Sequence, residues 1–332
     1  MKKRSIWLSI LVAFAVLMMP AIATAEIMAS GDVSPGKPDN WTKSTYGSIG
    51  QSGVGGVTVR GGSGLVSKEG YLGRYVGSTG EAFVDGAGST WNNSGILYVG
   101  LGGNGTLGVT DGGTVYSGGG RISDYSGSSG VVTVDGVGSA WNNSGNLYVS
   151  LGGNGTLSIT DGGIVNNSAA YVADYAGAMG AVTVAGVGSA WNNTSDLYLG
   201  RYGGSGTLAI AEGGLVRVDG ALTIDNDYDH NSFVNMSAGG MLALCGKADD
   251  SLDQFLDLVG GTGSIRYWNG DSWSSLNDAV AGKDYRLNYK CDGDLAGHTV
   301  LTVGPMVPEP SMVALLATSL GGFLFYVYRK RR

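Results

Sequence analysis

The stretch of sequence that decides the fold runs from residue 139 to residue 165 and reads SAWNNSGNLYVSLGGNGTLSITDGGIV. Nearly the same text stands at 89–115 and again at 189–216, so that each copy begins 50 residues after the previous one. A fixed internal period of this length is typical of stacked repeat architectures, in which each repeat buries its apolar face against its neighbours.

Each 50-residue unit divides into two halves of about 25 residues. GTLSITDGGIV at 155–165 and GAVTVAGVGSA at 180–190 share the frame Gly-x-φ-x-φ-x-x-x-Gly, where φ is apolar. Apolar and small polar residues alternate, as in Leu157-Ser158-Ile159, and this period of two indicates half-buried strands. Asp-Gly and Asn-Gly pairs end the runs, and these residues accept the positive φ of a sharp corner.

These patterns predict an all-β fold, a parallel β-helix (β-solenoid) of about eight 25-residue coils over residues 47–245. Stacking at ~4.8 Å per coil would give a rod of about 40 Å. Residues 26–46 would form an N-terminal cap or linker, and residues 246–304 a β-rich C-terminal cap. A β-propeller is the alternative, because its blades also repeat at about 40–50 residues. Each blade needs four antiparallel strands, and the three strand runs that we count in a half-unit favour the β-helix.

Composition excludes several classes of protein. Of 332 residues, 61 are Gly and only 6 are Pro, without the three-residue period of collagen. Two Cys exclude a disulfide-dense scaffold. A net charge of −7 argues against a nucleic-acid partner.

Residues 1–25 read as a secretory signal peptide. They combine the basic start Met1-Lys2-Lys3-Arg4, an apolar run and the small-residue site Ala23-Thr24-Ala25. A retained N-terminal anchor is the alternative. Cleavage before Glu26 would leave the repeats on the exported side of the membrane.

The C-terminal residues 305–332 predict a membrane anchor. VPEPS at 307–311 precedes an apolar run over 312–328 and the basic end RKRR at 329–332. Seventeen helical residues span about 26 Å, the short end of what crosses a bilayer. The basic end would stay in the cytoplasm, so we expect one transmembrane helix with residues 26–311 exported.

This three-part C-terminus resembles the PEP-CTERM sorting signal of Gram-negative bacteria. The resemblance implies processing by an exosortase, a transient stay in the inner membrane, and delivery to the cell surface or to a biofilm matrix of exopolysaccharide. An unprocessed membrane tail is the alternative. The residues that carry the signal are Val307, Pro308, Glu309, Pro310, Ser311, Arg329, Lys330, Arg331 and Arg332.

The repeat has a resemblance of its own. T-V-D-G-x-G-S-x-W-N-N, then L-Y-V-G-x-G-G-N-G-T-L, then T-D-G-G-x-V, over about residues 47–216, resembles a repeat of autotransporter passenger domains and PEP-CTERM proteins. That resemblance implies a β-solenoid, in agreement with the pattern of apolar residues.

Recurring aromatic residues are candidates for a strip that stacks on sugar rings; packing in the core is the alternative. The candidates are Trp91, Trp141, Trp191, Tyr98, Tyr148 and Tyr198.

Recurring acidic residues predict a row along the coil corners, at about 5 Å between successive members if the coils stack. The row comprises Asp85, Asp111, Asp135, Asp161 and Glu212. Turn chemistry explains Asp before Gly best. Calcium binding at Asp111, Asp135 and Asp161 or carboxylate catalysis are the alternatives. We expect no catalytic residue, no resident metal and no cofactor.

Two further pairs of residues have chemistry of their own. Cys245 and Cys291 are a possible disulfide in an oxidising exported compartment. His230 and His298 have no second ligand at metal spacing.

The expected function is a non-enzymatic, rod-like structural or adhesive protein that associates with exopolysaccharide. The alternatives are a β-helical polysaccharide lyase or glycoside hydrolase, or a spacer that presents residues 246–304. A lyase or hydrolase groove needs converging Asp, Lys or Arg, and residues 76–200 hold one basic residue, Arg121. Without the seven basic residues at the two ends, 13 Lys and Arg remain against 27 Asp and Glu, a net charge of −14.

Overall fold

The computed structural model describes residues 24–225, 231–248 and 251–304. In it the chain winds into a parallel β-solenoid of about eight turns, which confirms the predicted all-β solenoid. Each turn contributes one strand to each of three sheets, and the strands within a sheet come from successive turns. The three sheets run along the solenoid axis and enclose the core.

Sheet 1 consists of the long strands Glu26–Gly31, Val54–Arg60, Thr79–Asp85, Asn104–Thr110, Ser129–Asp135, Asn154–Thr160, Met179–Ala185, Ser205–Ala211, Phe233–Met236, Ser264–Trp268 and Trp273–Ser275. Sheet 2 consists of Val33–Ser34, Tyr46–Ile49, Glu69–Leu72, Ile96–Val99, Gly119–Ile122, Leu147–Val149, Ala170–Val172, Leu197–Leu199, Leu222–Ile224 and Val259–Gly261. Sheet 3 consists of Gly64–Ser67, Thr90–Asn93, Thr114–Ser117, Ala140–Asn143, Ile164–Asn167, Ala190–Asn193, Leu215–Val218, Met241–Cys245, His298–Val303 and Tyr285–Tyr289.

The register shows why the sequence repeats after two turns rather than after one. In sheet 1 every turn from Val54–Arg60 to Met179–Ala185 advances the chain by the same step, so that Leu107 lies midway in sequence between its partners Ala82 and Val132. In sheet 2 the steps are unequal.

Leu97 pairs with Gly70 and Gly120, and the step before Leu97 is longer than the step after it. Sheet 3 alternates in the same way, because Trp91 pairs with Leu65 and Val115. The two coils of a unit therefore have corners of different lengths, and only their sum is constant.

Inward-facing residues of the three sheets build one continuous core. Every second residue of a strand is buried, as in Met179–Ala185, where Val182 and Val184 point inward and Thr183 points outward. Rows of Val, Leu and Ile from successive turns stack on each other inside the solenoid. Burying branched apolar side chains in this way supplies the main favourable term of folding.

Glycine and aspartate shape the corners as the sequence predicts. Asp111 has φ 51° and Asp161 has φ 50°, both in the left-handed region, which Asp tolerates better than most residues. The Gly at the second position of the sheet 1 strands from Val54–Arg60 to Ser205–Ala211 has a different reason. A Cβ on Gly80 would lie 1.9 Å from the carbonyl oxygen of Ile49, so the chain can turn from sheet 2 into sheet 1 only with Gly at this position.

Residues 26–46 close one end of sheets 1 and 2. Glu26–Gly31 pairs antiparallel with Val54–Arg60, in contrast to the parallel pairs between the turns. A 3₁₀ helix at Pro38–Asn40 leads to Trp41, which is buried and donates its indole N–H to the Pro35 carbonyl oxygen at 2.9 Å.

Residues 246–304 lose the regular turns. They contain the short helix α1, Leu252–Leu256, a 3₁₀ helix at Leu276–Asp278 and the strands that end the three sheets. Trp273–Ser275 joins sheet 1 antiparallel, and His298–Val303 and Tyr285–Tyr289 join sheet 3 antiparallel.

The predicted targeting segments are largely beyond this description. The sorting signal with its transmembrane helix, residues 305–332, lies outside the described residues, as do residues 1–23 of the signal peptide. Within the described ranges, no helix has the length and apolar character needed to cross a bilayer.

Candidate functional site

The repeated tryptophans are buried, so the predicted glycan strip is wrong where it includes them. Trp91, Trp141 and Trp191 are all 0% exposed. Each is the second residue of a sheet 3 strand, a position that points into the core. No sugar ring can reach these side chains while the solenoid is folded.

Hydrogen bonding explains the Trp-Asn-Asn motif. Trp91 donates its indole N–H to Ser67 Oγ at 3.0 Å, and Ser67 Oγ donates to Asn93 Oδ1 at 2.7 Å. The second Asn of the motif thus points inward, whereas Asn92 points outward. Since a buried indole N–H needs an acceptor, the motif is a device for packing the core. The same inner polar row continues through Trp141 with Ser117 and Asn143, and through Trp191 with Asn167 and Asn193.

The predicted tyrosines, by contrast, lie on the outer face of sheet 2, and each stacks on a tyrosine of a neighbouring turn. The Tyr71 and Tyr98 ring centroids are 5.0 Å apart and the rings are nearly parallel. Tyr171 stacks on Tyr148 at 4.7 Å and on Tyr198 at 5.3 Å. Tyr71 and Tyr171 were missed by the sequence analysis. Both belong to the other coil of the unit, so they do not share the 50-residue spacing of the predicted tyrosines. The signal that could have identified them is the apolar strand residue that follows each one, Leu72 or Val172.

Arg121 occupies the tyrosine position of one turn. It pairs in register with Tyr98 and Tyr148, and its guanidinium lies 5.7 and 5.5 Å from their ring centroids. Its Nη1 donates to Oδ1 of the buried Asp124 at 3.1 Å. Burial raises the pKa of the Asp124 carboxyl, and the Arg121 charge partly offsets that effect.

The stacked residues form a column on the outer face of sheet 2, in the order Tyr71, Tyr98, Arg121, Tyr148, Tyr171 and Tyr198. Arg74 and Arg201 pack against the rings at its two ends. Arg201 lies 4.8 Å from the Tyr171 ring and 5.3 Å from the Tyr198 ring, and its Nε is 3.2 Å from Asp174 Oδ1. Arg74 lies 4.5 Å from the Tyr71 ring. Burial raises the pKa of Asp174, with the Arg201 charge acting in the opposite direction.

A second set of tyrosines lines the neighbouring corner between sheets 2 and 1. Their side chains are half exposed, and two of them stack at 5.9 Å. They are Tyr75, Tyr125, Tyr175 and Tyr202. We call the two sets together, with Arg74, Arg121 and Arg201, the tyrosine face.

A depression of about 270 Å³ lies in the tyrosine face beside Arg121. It is lined by Arg121, Tyr148, Ile96 and Asn146, and by glycines where other turns carry side chains. Gly118-Gly119-Gly120 stands here, and the next unit has Ser168-Ala169-Ala170 at the same place. The depression therefore results from a local departure from the repeat.

The acidic residues do not form the single row that we expected. Asp85 and Asp135 end strands of sheet 1, and each accepts a hydrogen bond from a threonine of the next turn: Thr110 Oγ1 at 2.6 Å and Thr160 Oγ1 at 2.5 Å. Asp111, Asp161 and Glu212 lie one position later, in the exposed turns.

Each of these two acidic rows is thus filled only in every second turn, about 10 Å apart. Of the calcium candidates, Asp111 and Asp161 share one row two turns apart, and Asp135 belongs to the other row, so the three are not brought together as a metal site. In the described ranges, no three His, Cys, Asp or Glu side chains are placed to hold a metal ion.

Cys245 and Cys291 are both free and exposed, so the possible disulfide is not formed in this structure. Cys245 pairs with His298, and Lys290, next to Cys291, donates its backbone N–H to the His298 carbonyl. The two cysteines therefore lie two strands apart, about 10 Å, whereas a disulfide needs Cα atoms within about 7 Å.

His298 has a partner that the sequence did not reveal. Its Nε2 lies 2.9 Å from Asp219 Oδ1, and Asp219 also accepts two hydrogen bonds from Arg217. This buried contact joins the strand His298–Val303 to the corner after Leu215–Val218. His230 lies outside the described residues.

Geometry alone singles out the tyrosine face among these candidates. It is the place where the described residues combine stacked aromatic rings, charged groups and a depression on the outside of the solenoid. No protein-family model, no curated protein and no solved structure matches the chain.

Proposed function

We propose that the protein is an exported, non-enzymatic rod that binds polysaccharide through the tyrosine face. The observation that supports this most is the column of aromatic rings along the solenoid axis, in which stacked rings are 4.7 to 5.3 Å apart and Arg121 takes the place of a ring in one turn. A polysaccharide is also a chain of repeating units, so the rod and the polymer can meet at many points. Weak contacts repeated in this way add up to strong retention.

The chemistry of the face suits hydroxyl-rich ligands. Within the column each ring covers its neighbour, which leaves ring edges and phenol groups toward solvent. Burial raises the pKa values of Tyr98 and Tyr171, so their hydroxyl groups stay protonated and can donate hydrogen bonds at neutral pH. The Tyr198 hydroxyl already donates to Asp196 Oδ2 at 3.1 Å. The half-exposed corner tyrosines add apolar ring surface for the C–H faces of sugars.

Charge favours a neutral polymer over an acidic one. Arg121 and Arg201 are already paired with Asp124 and Asp174, so the face has little unpaired positive charge. The exported chain as a whole carries the net charge of −14 given above, which repels polyanions in the absence of bridging cations.

Retention on polysaccharide tests the proposal. The full chain is passed over an immobilised neutral glucan and over the exopolysaccharide of the host. We expect retention that Tyr171→Ala or Tyr148→Ala weakens several-fold. Tyr116→Ala is the matched control, since Tyr116 is a half-exposed tyrosine on the outer face of sheet 3. Equal losses for Tyr116→Ala and Tyr171→Ala, or no retention of the unaltered chain, would contradict the proposal.

The non-enzymatic part has its own test. The same incubations are assayed for new reducing ends and for unsaturated products. Cleavage that disappears with Asp111→Ala or Asp161→Ala would support the lyase or hydrolase alternative and overturn the structural role.

We further propose that residues 305–332 act as a PEP-CTERM signal processed by an exosortase, and that residues 246–304 cap the solenoid. Val307, Pro308, Glu309, Pro310 and Ser311 would carry the recognised motif. Fractionation of cells that make the full chain or a deletion of 307–332 tests the sorting. Identical distribution of the two chains between membrane and medium would contradict it.

A further inference from the structure

A second cavity lies at the far end of sheet 1, away from the tyrosine face. Its volume is about 550 Å³, and its lining includes Tyr267, Trp268, Asn269, Lys283 and Asp284. The hairpin of Ser264–Trp268 and Trp273–Ser275 forms one wall, and the loop before Tyr285–Tyr289 forms another. Small-molecule sites are typically clefts of about 300–1,000 Å³, so this cavity is large enough for a ligand of one or two rings.

The tryptophans of this region differ from those of the repeats. Trp268 is 40% exposed and Trp273 is 44% exposed, whereas Trp91, Trp141 and Trp191 are completely buried. The two rings meet edge to face, with centroids 5.5 Å apart. Such a cross-strand pair stabilises the hairpin, but an edge-to-face contact leaves ring surface uncovered. Trp268 contributes to the cavity wall.

Polar groups line the same cavity with spare hydrogen-bonding capacity. Asp284 is mostly buried and uses Oδ2 to accept the Val280 N–H at 2.9 Å. Its Oδ1 is 3.8 Å from Lys283 Nζ, too far for a hydrogen bond. The carboxylate and the ammonium therefore balance each other in charge while both can still bind hydroxyl groups of a ligand.

We propose that this cavity binds a neutral saccharide of one or two rings. The C–H face of a sugar ring packs on Trp268, and its hydroxyl groups bond to Asp284 and Lys283. An anionic ligand would face the Asp284 carboxylate, and a cationic ligand would face the Lys283 ammonium. This site goes beyond the proposed function, because it is a single pocket at one end of the rod and contains no residue of the tyrosine face.

Tryptophan fluorescence offers a direct test on the full chain in a sugar-free detergent. The background variant Trp7→Phe removes the tryptophan that lies outside the described residues. Acrylamide should then quench mainly Trp268 and Trp273, since the other described tryptophans are buried. The probes are cellobiose, maltose and lactose, each up to about 10 mM, which detects dissociation constants near 1 mM.

We expect at least one probe to protect the chain from quenching with a saturating dose dependence. Asp284→Asn, which keeps the size of the side chain and an acceptor for Val280, should weaken this protection about tenfold. Trp268→Tyr keeps an aromatic pair in the hairpin and should weaken it as well. Absence of protection by all three probes, or protection unchanged in Asp284→Asn and Trp268→Tyr, would overturn the proposal.

Tyr171→Ala separates this site from the tyrosine face. It should leave disaccharide protection unchanged while it reduces retention on the polymer. Loss of disaccharide protection in Tyr171→Ala would place the binding on the tyrosine face and would also overturn the pocket.

Discussion

The tryptophans of sheet 3 and the tyrosines Tyr98, Tyr148 and Tyr198 of sheet 2 have the same 50-residue period but opposite environments. Trp141 lies inside the solenoid, whereas Tyr148 of the next strand lies outside. The corner between the two strands sets this difference, because side chains alternate along a strand and the chain passes through Ser144, Gly145 and Asn146 before the next strand. Period alone therefore identifies a repeated residue without telling which face it occupies.

Truncating a tryptophan should produce the largest effect that the comparison predicts. Trp141→Ala is expected to lower the free energy of unfolding by about 3–5 kcal/mol, since it leaves a cavity in the core and removes the partner of Ser117. Urea unfolding followed by circular dichroism measures the change. Trp141→Phe, which keeps most of the volume, should cost clearly less. Equal stability of Trp141→Ala and the unaltered chain would contradict the buried placement.

The inner polar row should be the next most sensitive feature. Asn167→Ala removes the acceptor of the Trp191 N–H and the donor to Asn193, and an unsatisfied buried group costs about 1–3 kcal/mol. The neighbouring Asn166 is the matched control. It bonds to Asn142 and Asn192 on the outer face, where water can replace its partners. Asn166→Ala should therefore cost less than Asn167→Ala in the same urea measurement.

Tyr171 should contribute less to stability than Trp141 and no more than Asn167. Tyr171→Ala removes two stacking contacts, each worth about 0.5–1.5 kcal/mol. Tyr171→Phe should retain nearly all of this stability and still weaken polysaccharide retention, because it keeps the ring and removes the hydroxyl group. Unchanged retention in Tyr171→Phe would show that the hydroxyl groups of the column are not used.

The smallest expected effect concerns Asp124 and Asp174, which pair with the arginines of the tyrosine face. It is a change in how strongly the free energy of unfolding depends on pH. Burial raises the folded-state pKa of Asp124 and Asp174. Between the unfolded value of 3.8 and the raised value, the folded chain binds more protons, so stability falls as pH rises through this window. The double variant Asp124→Asn and Asp174→Asn should have a flatter dependence of the urea midpoint on pH. Asp124→Asn alone should flatten the dependence less than the double variant does, because Asp174 still titrates with a raised pKa.

The β-solenoid was predictable from the sequence, because the alternation of apolar and polar residues in strands and the Gly-rich corners are local signals. The alternating residues Leu157-Ser158-Ile159 indicate a strand, and the pair Asp161-Gly162 indicates a corner. Whether a repeated side chain points into the core or toward solvent was not predictable, since the corner lengths differ between the two coils of a unit. For the same reason Tyr71 and Tyr171 were missed.

Contacts between segments far apart in the sequence could not be predicted from local patterns either. His298 and Asp219 are 79 residues apart, and neither lies in a recognisable motif. The possible disulfide was wrong for a related reason. The strand His298–Val303 lies between the segments that carry Cys245 and Cys291. The alternating residues Thr299-Val300-Leu301-Thr302-Val303 predict a strand but not its place in the sheet.

The alternating register of sheets 2 and 3 restricts how such a chain can change its length. Loss or gain of a single turn would keep sheet 1 in register, but it would place two long corners or two short corners next to each other. Loss of the turn that carries Val115, for example, would place Trp141 directly next to Trp91 in sheet 3, where Val115 now separates the two large rings. Duplication of a whole two-turn unit preserves every neighbour and lengthens the rod by about 10 Å. The natural unit of growth for this protein is therefore a pair of turns, and rods of different reach can arise by recombination between near-identical copies of one segment.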